Sequence, residues 1–547
     1  MKYYKSYIAC IIIIFLSIKL YSQTAPYRYR IQFTDKNDCT FSIEHPEEYL
    51  SAKAISRREK QNIIITKNDL PVTSKYTDSL SALGLDIINR SKWFNTVTVY
   101  STNNNLLDTI SNISFIKDVS KIASLEMKKS KKLYIPSSEK NDKSNQVTQG
   151  TNFYNYGLSQ GQICMLNGNI LHNNGFAGED KTIAIIDAGF YYADTLSAFD
   201  SLWLNSQIIG TKDFVQHNNN VFREHNHGMK VLSILAGNIP GYLIGSAPKA
   251  NYWLLRSEDV NSEYTIEEDN WISAAEFADS VGVDIINTSL GYSEFDDSTQ
   301  DYTYSDMDGN STRISIGANI AASKGILVIV SAGNSGDDTW EHITAPADAD
   351  SVIAVGAVDS YLNYAPFSSR GPSFDGRVKP NIAAMGSGAY HQSTNGDIIA
   401  GNGTSFSAPI ISGLAACLWQ KFPNLTNMEI KSKIEESASQ FLSPDIYLGY
   451  GIPNFAIASD LTNIVITDKA NYIKCYPNPF SDNLNIEINN IQKVEIFNMQ
   501  GQKIYSLISK NILNKISLKN LQEINTGIYI LKITTKSQII TQTIIKE

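Results

Sequence analysis

The sequence predicts an α/β fold with a parallel-sheet central domain, a small α+β domain before it and an all-β sandwich after it. Three observations predict this. Between about residues 151 and 462, continuous apolar runs alternate with helical stretches, the pattern of a parallel sheet covered on both faces. Residues 24–125 mix half-buried strand alternation with helical segments. From about residue 470 the chain turns to short strand runs divided by turn signals, as in a β-sandwich. With 547 residues, the chain is too long for a single core, and several domains are expected.

The elements follow in chain order. Lys2 and Lys5 precede the run Ile8–Ile18, which is too short to span a bilayer comfortably, so residues 1–22 read as a secretory signal removed near Ser22. In residues 24–125, Tyr29, Ile31 and Phe33 alternate, as do Val97 and Val99, and Leu106–Ile110 begins a helix. Residues 126–150 are rich in Lys, Ser and Asn and poor in apolar side chains, a composition that builds no core and reads as a linker. Its basic run Met127–Lys132 suits either a solvated segment or a processing site, and the solvated reading is favoured. In the central domain, strands are expected at Thr182–Ile186, Tyr252–Leu255, Asp284–Thr288, Ile326–Val330 and Val352–Val355, with helices at Trp271–Val281 and Ile314–Ser323. Thr426 and Glu429 form a capping box for a helix through Ser437. The tail is expected to hold strands at Leu484–Ile488, Val494–Phe497, Lys503–Leu507, Ile516–Leu518, Tyr529–Ile533 and Ile539–Ile545. Turns are marked by Met499-Gln-Gly501 and Thr526-Gly527.

The chemistry sits in a few short segments of the central domain. Asp187 ends the apolar run Lys181–Ile186, which places its carboxylate at the carboxyl end of a strand. His227 stands before Gly228 and a run in which Val231, Ile234 and Leu235 recur at helical spacing. Ser405 lies between the flexible Gly401–Gly403 and the apolar stretch Ala408–Trp419, where backbone N–H groups can meet a developing oxyanion. Pro409 predicts irregular first turns in that helix. A hydroxyl nucleophile needs a base, and the base needs an acid to orient it; Asp, His and Ser in this order supply the three parts. Asn334, on the glycine-rich turn after the strand Gly325–Val330, offers an amide donor for the oxyanion.

These segments, with Asn287-Thr-Ser289-Leu-Gly291, Ala332-Gly-Asn334 and Gly403-Thr-Ser405-Phe-Ser-Ala-Pro409, resemble the subtilisin-like serine peptidases over about Tyr154–Asp460. The resemblance implies a secreted serine endopeptidase made as an inactive precursor. In that reading Asp187 orients, His227 is base then acid, Ser405 is the nucleophile and Asn334 supplies an oxyanion donor. Ser289, Leu290 and Gly291, with Ser331, Ala332 and Gly333, would pair with the substrate backbone as added strands. Thr344 would lie at the floor of the first specificity pocket, and Asp337, Asp338 and Glu341 are nearby acidic residues of unassigned position. Residues 24–125 resemble in position the propeptide of such enzymes, a partner that assists folding and blocks the cleft. Ala188, Met229 and Phe406 depart from the family's usual Ser or Thr, Thr or Ser, and Met. In the tail, Tyr476-Pro-Asn-Pro-Phe480, Val494–Gly501 and Thr526–Tyr529 resemble the C-terminal sorting domain of type IX secretion cargo. That implies the type IX machinery as a partner and an extracellular or outer-membrane surface location. The alternative readings are a binding or adhesion protein on an inactive peptidase scaffold, and an esterase using the same triad.

The remaining signals are bland. A net charge of −9 suits a soluble protein and argues against nucleic acid as the main partner. Cys39, Cys164, Cys417 and Cys475 are too scattered to suggest a framework; Cys417 reads as a core residue and a Cys164–Cys417 bridge is the alternative. His225 and His227 lie two apart without the spacing or partners of a metal site, so no metal is expected there. No cofactor is required by this chemistry. The resembling family commonly binds calcium, but the acidic loop Glu294–Asp308 lacks the order of a calcium loop and reads as solvated.

Overall fold

A computed structural model describes residues 27–101, 110–124, 152–461, 474–498, 502–535 and 539–547. The proposed signal, the linker, the helix start at Leu106 and the Met499–Gly501 turn lie outside the described residues. The chain divides into two compact units, residues 1–461 and 462–547.

The first unit begins with a small α+β domain. Strand β1 (Tyr27–Phe33) is central in an antiparallel sheet with β2 (Asp86–Ser91), β3 (Thr96–Ser101) and β4 (Ile116–Ser124), in the order β2-β3-β1-β4. Tyr29, Ile31 and Phe33 face a core with Val97 and Val99, as the alternation predicts. Helices α1 (Ala52–Lys60) and α2 (Ser74–Ala82) complete the domain; Ser51 caps α1 by accepting from the Ala54 N–H.

The larger domain is built on a seven-stranded sheet. Its strands are β5 (Thr182–Asp187), β6 (Ile208–Asp213), β7 (Asn251–Arg256), β8 (Ile285–Thr288), β9 (Leu327–Ser331), β10 (Ile353–Val358) and β11 (Ile382–Met385). All pairings are parallel, in the order β11-β10-β9-β8-β5-β7-β6, and a separate antiparallel pair, β12 (Ser387–Gln392) and β13 (Ile398–Asn402), follows β11. Every residue of β5, β8 and β9 is buried; the interiors of β5 and β9 read as apolar runs for that reason, whereas β8 buries Asn287 and Thr288 beside Ile285 and Ile286. One face is covered by α3 (His227–Ala236), α6 (Thr404–Lys421) and α7 (Asn427–Glu436). The other is covered by α4 (Ile266–Val281) and α5 (Arg313–Ser323). Helix α7 opens with the predicted capping box between Thr426 and Glu429. Helix α6 is continuous from Thr404 to Lys421, but Pro409 near its start has no N–H to offer the Ser405 carbonyl, the irregularity expected there. After β7 the chain crosses β5 to lay down β8, so the sheet's switch point falls at the carboxyl ends of β5 and β8.

Helix α4 carries an acidic face that the α+β domain covers. Glu276 accepts from the backbone N–H groups of Lys92 and Trp93 at 2.8 and 3.0 Å and from Ser91 Oγ at 2.5 Å. Asp279 meets Arg57 at 2.6 Å, Arg58 at 2.8 Å and Lys92 at 3.0 Å. Asp269 binds Arg30 and Arg313, and Tyr302 Oη donates to Glu268 at 2.8 Å.

Burial pushes the Glu268 carboxyl up to about 7, despite the Tyr302 hydroxyl and the Arg30 and Arg313 charges; neighbouring Asp269 adds to the rise. A carboxyl whose folded value is raised favours the folded state at low pH and loses that contribution as pH climbs from its ordinary value toward the raised one. The Glu268→Gln chain should therefore gain thermal stability over wild type progressively between pH 5 and 7, with the difference levelling above that window. Calorimetry across pH 4.5–8 checks this; a constant difference would contradict it.

The second unit is antiparallel throughout. Strands β14 (Lys474–Tyr476), β15 (Leu484–Asn498), β16 (Lys503–Leu518), β17 (Gly527–Thr535) and β18 (Ile539–Lys546) form one five-stranded sheet, with β16 beside β15. The expected pairs 484–488/494–497 and 503–507/516–518 are each a single long strand. Register shifts between Glu487 and Lys493 bend β15, so that its first part pairs with β14 and its second with β17. Both parts bury side chains in one core, Leu484 and Ile486 with Val494 and Ile496.

Candidate active site

Asp187 is the last residue of β5 and His227 the first of α3. His227 Nδ1 lies 2.8 and 3.0 Å from the two carboxylate oxygens of Asp187. With Nδ1 committed there, Nε2 is the nitrogen left to accept a proton. The Ala188 backbone N–H donates to Asp187 Oδ1 at 2.7 Å, so a backbone donor serves the carboxylate where the family's usual side-chain hydroxyl is missing. The glycine after the histidine is a packing requirement. A Cβ on Gly228 would come within 2.6 Å of the Gly189 carbonyl oxygen and 3.0 Å of Asp187 Cβ, so only glycine lets α3 start this close to β5.

Ser405 is the second residue of α6 and is nearly buried. Its Oγ donates to the Ser289 carbonyl at 3.2 Å. The next residue, Phe406, lays its ring nearly parallel to the His227 imidazole, with centroids 6.4 Å apart, and also packs against His391 at 4.8 Å. Phe406 and the fully buried Met229, two of the departures from the family pattern, thus serve packing beside the site.

Asn334 Oδ1 accepts from the Thr404 backbone N–H at 2.8 Å and from Thr404 Oγ1 at 3.0 Å. That commitment leaves Nδ2 as the amide's donor. Asn334 Nδ2 and the Ser405 backbone nitrogen converge beside Gly403, each 3.8 Å from the position a Cβ there would take. Thr404, which the sequence reading passed over, is the residue that sets the amide's orientation; its only signal is its place directly before Ser405.

Ser289, Leu290 and Gly291 follow directly from β8, and Ser331, Ala332 and Gly333 end or follow its neighbour β9. Thr344 lies between the two stretches. A Cβ on Gly291 would stand 2.2 Å from Thr344 Oγ1, and one on Gly333 3.0 Å from it, which accounts for both glycines. Thr344 Oγ1 is buried and finds no protein partner among the described residues. Glu341 is ion-paired with Arg370 at 2.5 Å, and Asp338 accepts from the Trp340 N–H.

The other polar groups have structural uses. In the acidic loop, Asp301 accepts from the Phe295 N–H, Asp306 caps Thr303, and Asp308 accepts from the Asn310 and Ser311 N–H groups. The described group whose oxygens come within 4.8 Å of one another is instead Glu258, Glu263 and Glu267, where Tyr292 Oη donates to Glu258. His225 Nδ1 accepts from the His227 N–H. His172 sits buried between Tyr156 and the Ser246 carbonyl. Cys164 and Cys417 are both free, so the bridge between them is not formed; Cys417 is fully buried against Ser246.

Comparison with known proteins agrees with this architecture. The model of the subtilase family matches residues 178–451, a peptidase S8 propeptide domain of Bacteroidota matches 28–138, and a secretion system C-terminal sorting domain matches 474–547. Subtilisin E of Bacillus subtilis (strain 168) is 30% identical over 310 residues, covering 56% of this chain and 71% of its own. Subtilisin of Bacillus pumilus is 30% identical over 310 residues, 56% of this chain and 98% of its own. Among solved structures, MycP1 from the ESX-1 type VII secretion system matches with a TM-score of 0.42 at 23% identity, over 57% of this chain and 88% of that one. The sorting domain marks the chain for secretion to the cell surface or beyond, and among the described residues no helix is long and apolar enough to cross a membrane. The chain belongs to the subtilase family: it is a serine endopeptidase that carries its own propeptide domain and a C-terminal sorting domain.

Proposed function

We propose that peptide bonds are hydrolysed by a triad of Asp187, His227 and Ser405 with Asn334 as an oxyanion donor. The observation that carries this is the paired contact of the Asp187 carboxylate with His227 Nδ1, beside a helix start that presents Ser405. Ser405 Oγ attacks the scissile carbonyl carbon while His227 Nε2 takes its proton. The carbonyl oxygen becomes an oxyanion held by Asn334 Nδ2 and the Ser405 N–H. The C–N bond then breaks, the proton passes from His227 to the leaving amine, and water releases the acyl group by the same steps in reverse. Asp187 keeps the imidazole in the productive tautomer throughout. No step runs through a metal; calcium bound at a site elsewhere would act on stability alone.

Substrate chains would add as strands between Ser289–Gly291 and Ser331–Gly333. Thr344 at the floor of the first pocket leaves room for a sizeable side chain, and Glu341, already neutralised by Arg370, gives no selection for basic residues. The N-terminal domain would hold the precursor inactive until cleaved, and the type IX machinery would export the chain through its sorting domain.

A serine-directed fluorophosphonate should label the activated enzyme at Ser405, as peptide mapping by mass spectrometry would read. An unlabelled Ser405 in protein that cleaves casein would refute the assignment, and labelled protein that cleaves esters but no peptide would make it an esterase. Asn334→Ala should lower kcat roughly 10²–10³-fold with little change in KM, the size of loss known for the corresponding donor of subtilisin, a relative. Steady-state kinetics on a peptide amide check it.

A further inference from the structure

Helix α6 contains a break in its hydrogen-bond ladder that falls on Ser405. In an α-helix the carbonyl of Ser405 would accept from the N–H of residue 409, but that residue is proline and has no N–H to give. The donor that reaches this carbonyl comes from another element: Ser289 Oγ donates to the Ser405 carbonyl oxygen at 3.1 Å. A serine hydroxyl has one proton, so something must decide where it points. Asn287, in β8, donates from Nδ2 to Ser289 Oγ at 3.2 Å, which fills an acceptor position and leaves the hydroxyl proton for Ser405. The Asn287 amide is backed by Ser412 Oγ, which lies 2.9 Å from Asn287 Oδ1 and 3.0 Å from the Ala408 carbonyl and shares its one proton between them. Ser412 lies on α6 itself, so the chain of bonds leaves the helix, passes through β8 and Ser289, and returns to the helix at Ser405. Asn287 and Ser412 expose no surface and Ser289 only 4%.

We propose that Asn287 and the Ser289 hydroxyl are positioning residues that hold the Ser405 peptide in place of the bond Pro409 cannot make. The inference rests on the reading of Ser405 as nucleophile. Fixing the Ser405 carbonyl fixes the residue's ψ, and with it the direction in which the Cα–Cβ bond leaves the helix. Both roles of Ser405, hydroxyl and oxyanion donor, depend on that direction. A small misplacement of a reacting atom lowers turnover far more than it lowers substrate affinity.

The test compares Ser289→Ala, Ser289→Thr, Asn287→Asp and the double variant Asn287→Asp/Ser289→Ala, each as full-length chain carried through activation, with kcat and KM measured on one peptide amide. Ser289→Ala should lower kcat tenfold or more and move KM less than twofold. Ser289→Thr, which keeps the hydroxyl, should recover most of that loss. Asn287→Asp offers the Ser289 proton a carboxylate in place of an N–H and should lower kcat as much as Ser289→Ala. The double variant should be no worse than Ser289→Ala, because both changes remove one device. Wild-type kcat in Ser289→Ala, or losses that multiply in the double variant, would overturn the proposal. If Asn287→Asp does not fold, the Ala and Thr variants at Ser289 decide it alone. A Ser405→Ala control separates the two layers: a dead control with a normal Ser289→Ala sinks only the positioning role, whereas an active control sinks the nucleophile assignment.

Discussion

Ser405→Ala is expected to lower kcat about 10⁶-fold, the scale of a nucleophile knockout in subtilisin, a relative. The substitution removes a single oxygen whose hydrogen bond in the resting site goes to the Ser289 carbonyl. It leaves the ring stack of Phe406 on His227 and the Asp187–His227 pair untouched, so the protein should fold and melt as wild type does. What survives is catalysis by the oxyanion donors and by substrate binding, roughly 10³–10⁴ over water. The comparison with the other two triad positions sharpens the expectation. His227→Ala should cost about as much, because a serine without its base is a weak nucleophile. Asp187→Asn should cost less, about 10⁴-fold, since it disturbs the tautomer and not the reacting atoms. Adding Asp187→Asn to Ser405→Ala should cost nothing more. Casein hydrolysis by purified Ser405→Ala protein at more than a thousandth of the wild-type rate would remove the basis of the mechanism. The same variant should also retain its N-terminal domain uncleaved, if the chain matures itself.

The parallel sheet was legible because β5 and β9 are buried on both faces, which writes their interiors as runs of Ile, Val, Leu and Ala. Three site residues lie where a buried strand stops, Asp187 at the end of β5, Ser289 just past β8 and Asn334 just past β9, whereas His227 and Ser405 open helices. Glycine marks the close approaches, as Gly228 does against β5 and Gly291 against Thr344. Long-range polar partners were not legible. Nothing local ties Asn287 to Ser412, 125 residues away, although both lie inside segments picked out for their chemistry. Nor does periodicity reveal the acidic face of α4, since Glu and Asp at helical spacing read as a solvated surface. They are buried because Arg57, Arg58 and Lys92 come from a domain about 190–220 residues earlier in the chain. In the tail, bulges joined pairs of expected strands, because a register shift bends a strand without any Gly or Pro to announce it.

Asp279→Asn should loosen the N-terminal domain more than any other single change at that surface. Asp279 has no exposed surface, and Arg57 and Arg58 beside it are also buried. Burial alone would raise its carboxyl, yet Lys92, Arg57 and Arg58 together hold it well below the usual range. Removing one charge from a buried, hydrogen-bonded set leaves the others uncompensated, a loss of about 3–5 kcal/mol, or roughly 10²–10³-fold or more in an opening equilibrium. The half-exposed Lys53–Asp284 pair at the same surface is the contrast: Lys53→Met should cost at most about 1 kcal/mol. The readout is hydrogen exchange in the full chain, made inactive by Ser405→Ala so that the domain stays attached. The Lys92 and Trp93 amides, which donate to Glu276, should exchange faster by that factor in Asp279→Asn, while amides of β5, β8 and β9 keep wild-type protection. Equal loss of protection in both regions would mean global destabilisation instead. The pH dependence separates Asp279 from Glu268 on the same helix. A depressed carboxyl contributes above its ordinary value, here 3.8, and fails only as pH falls through the lowered one, so the Asp279 cluster is intact from pH 5 upward. Glu268 acts in the opposite sense on the stability of the whole chain, which loses that carboxyl's contribution as pH rises toward 7. Asp279→Asn should therefore lower protection of the Lys92 and Trp93 amides by a similar factor at pH 5 and at pH 7.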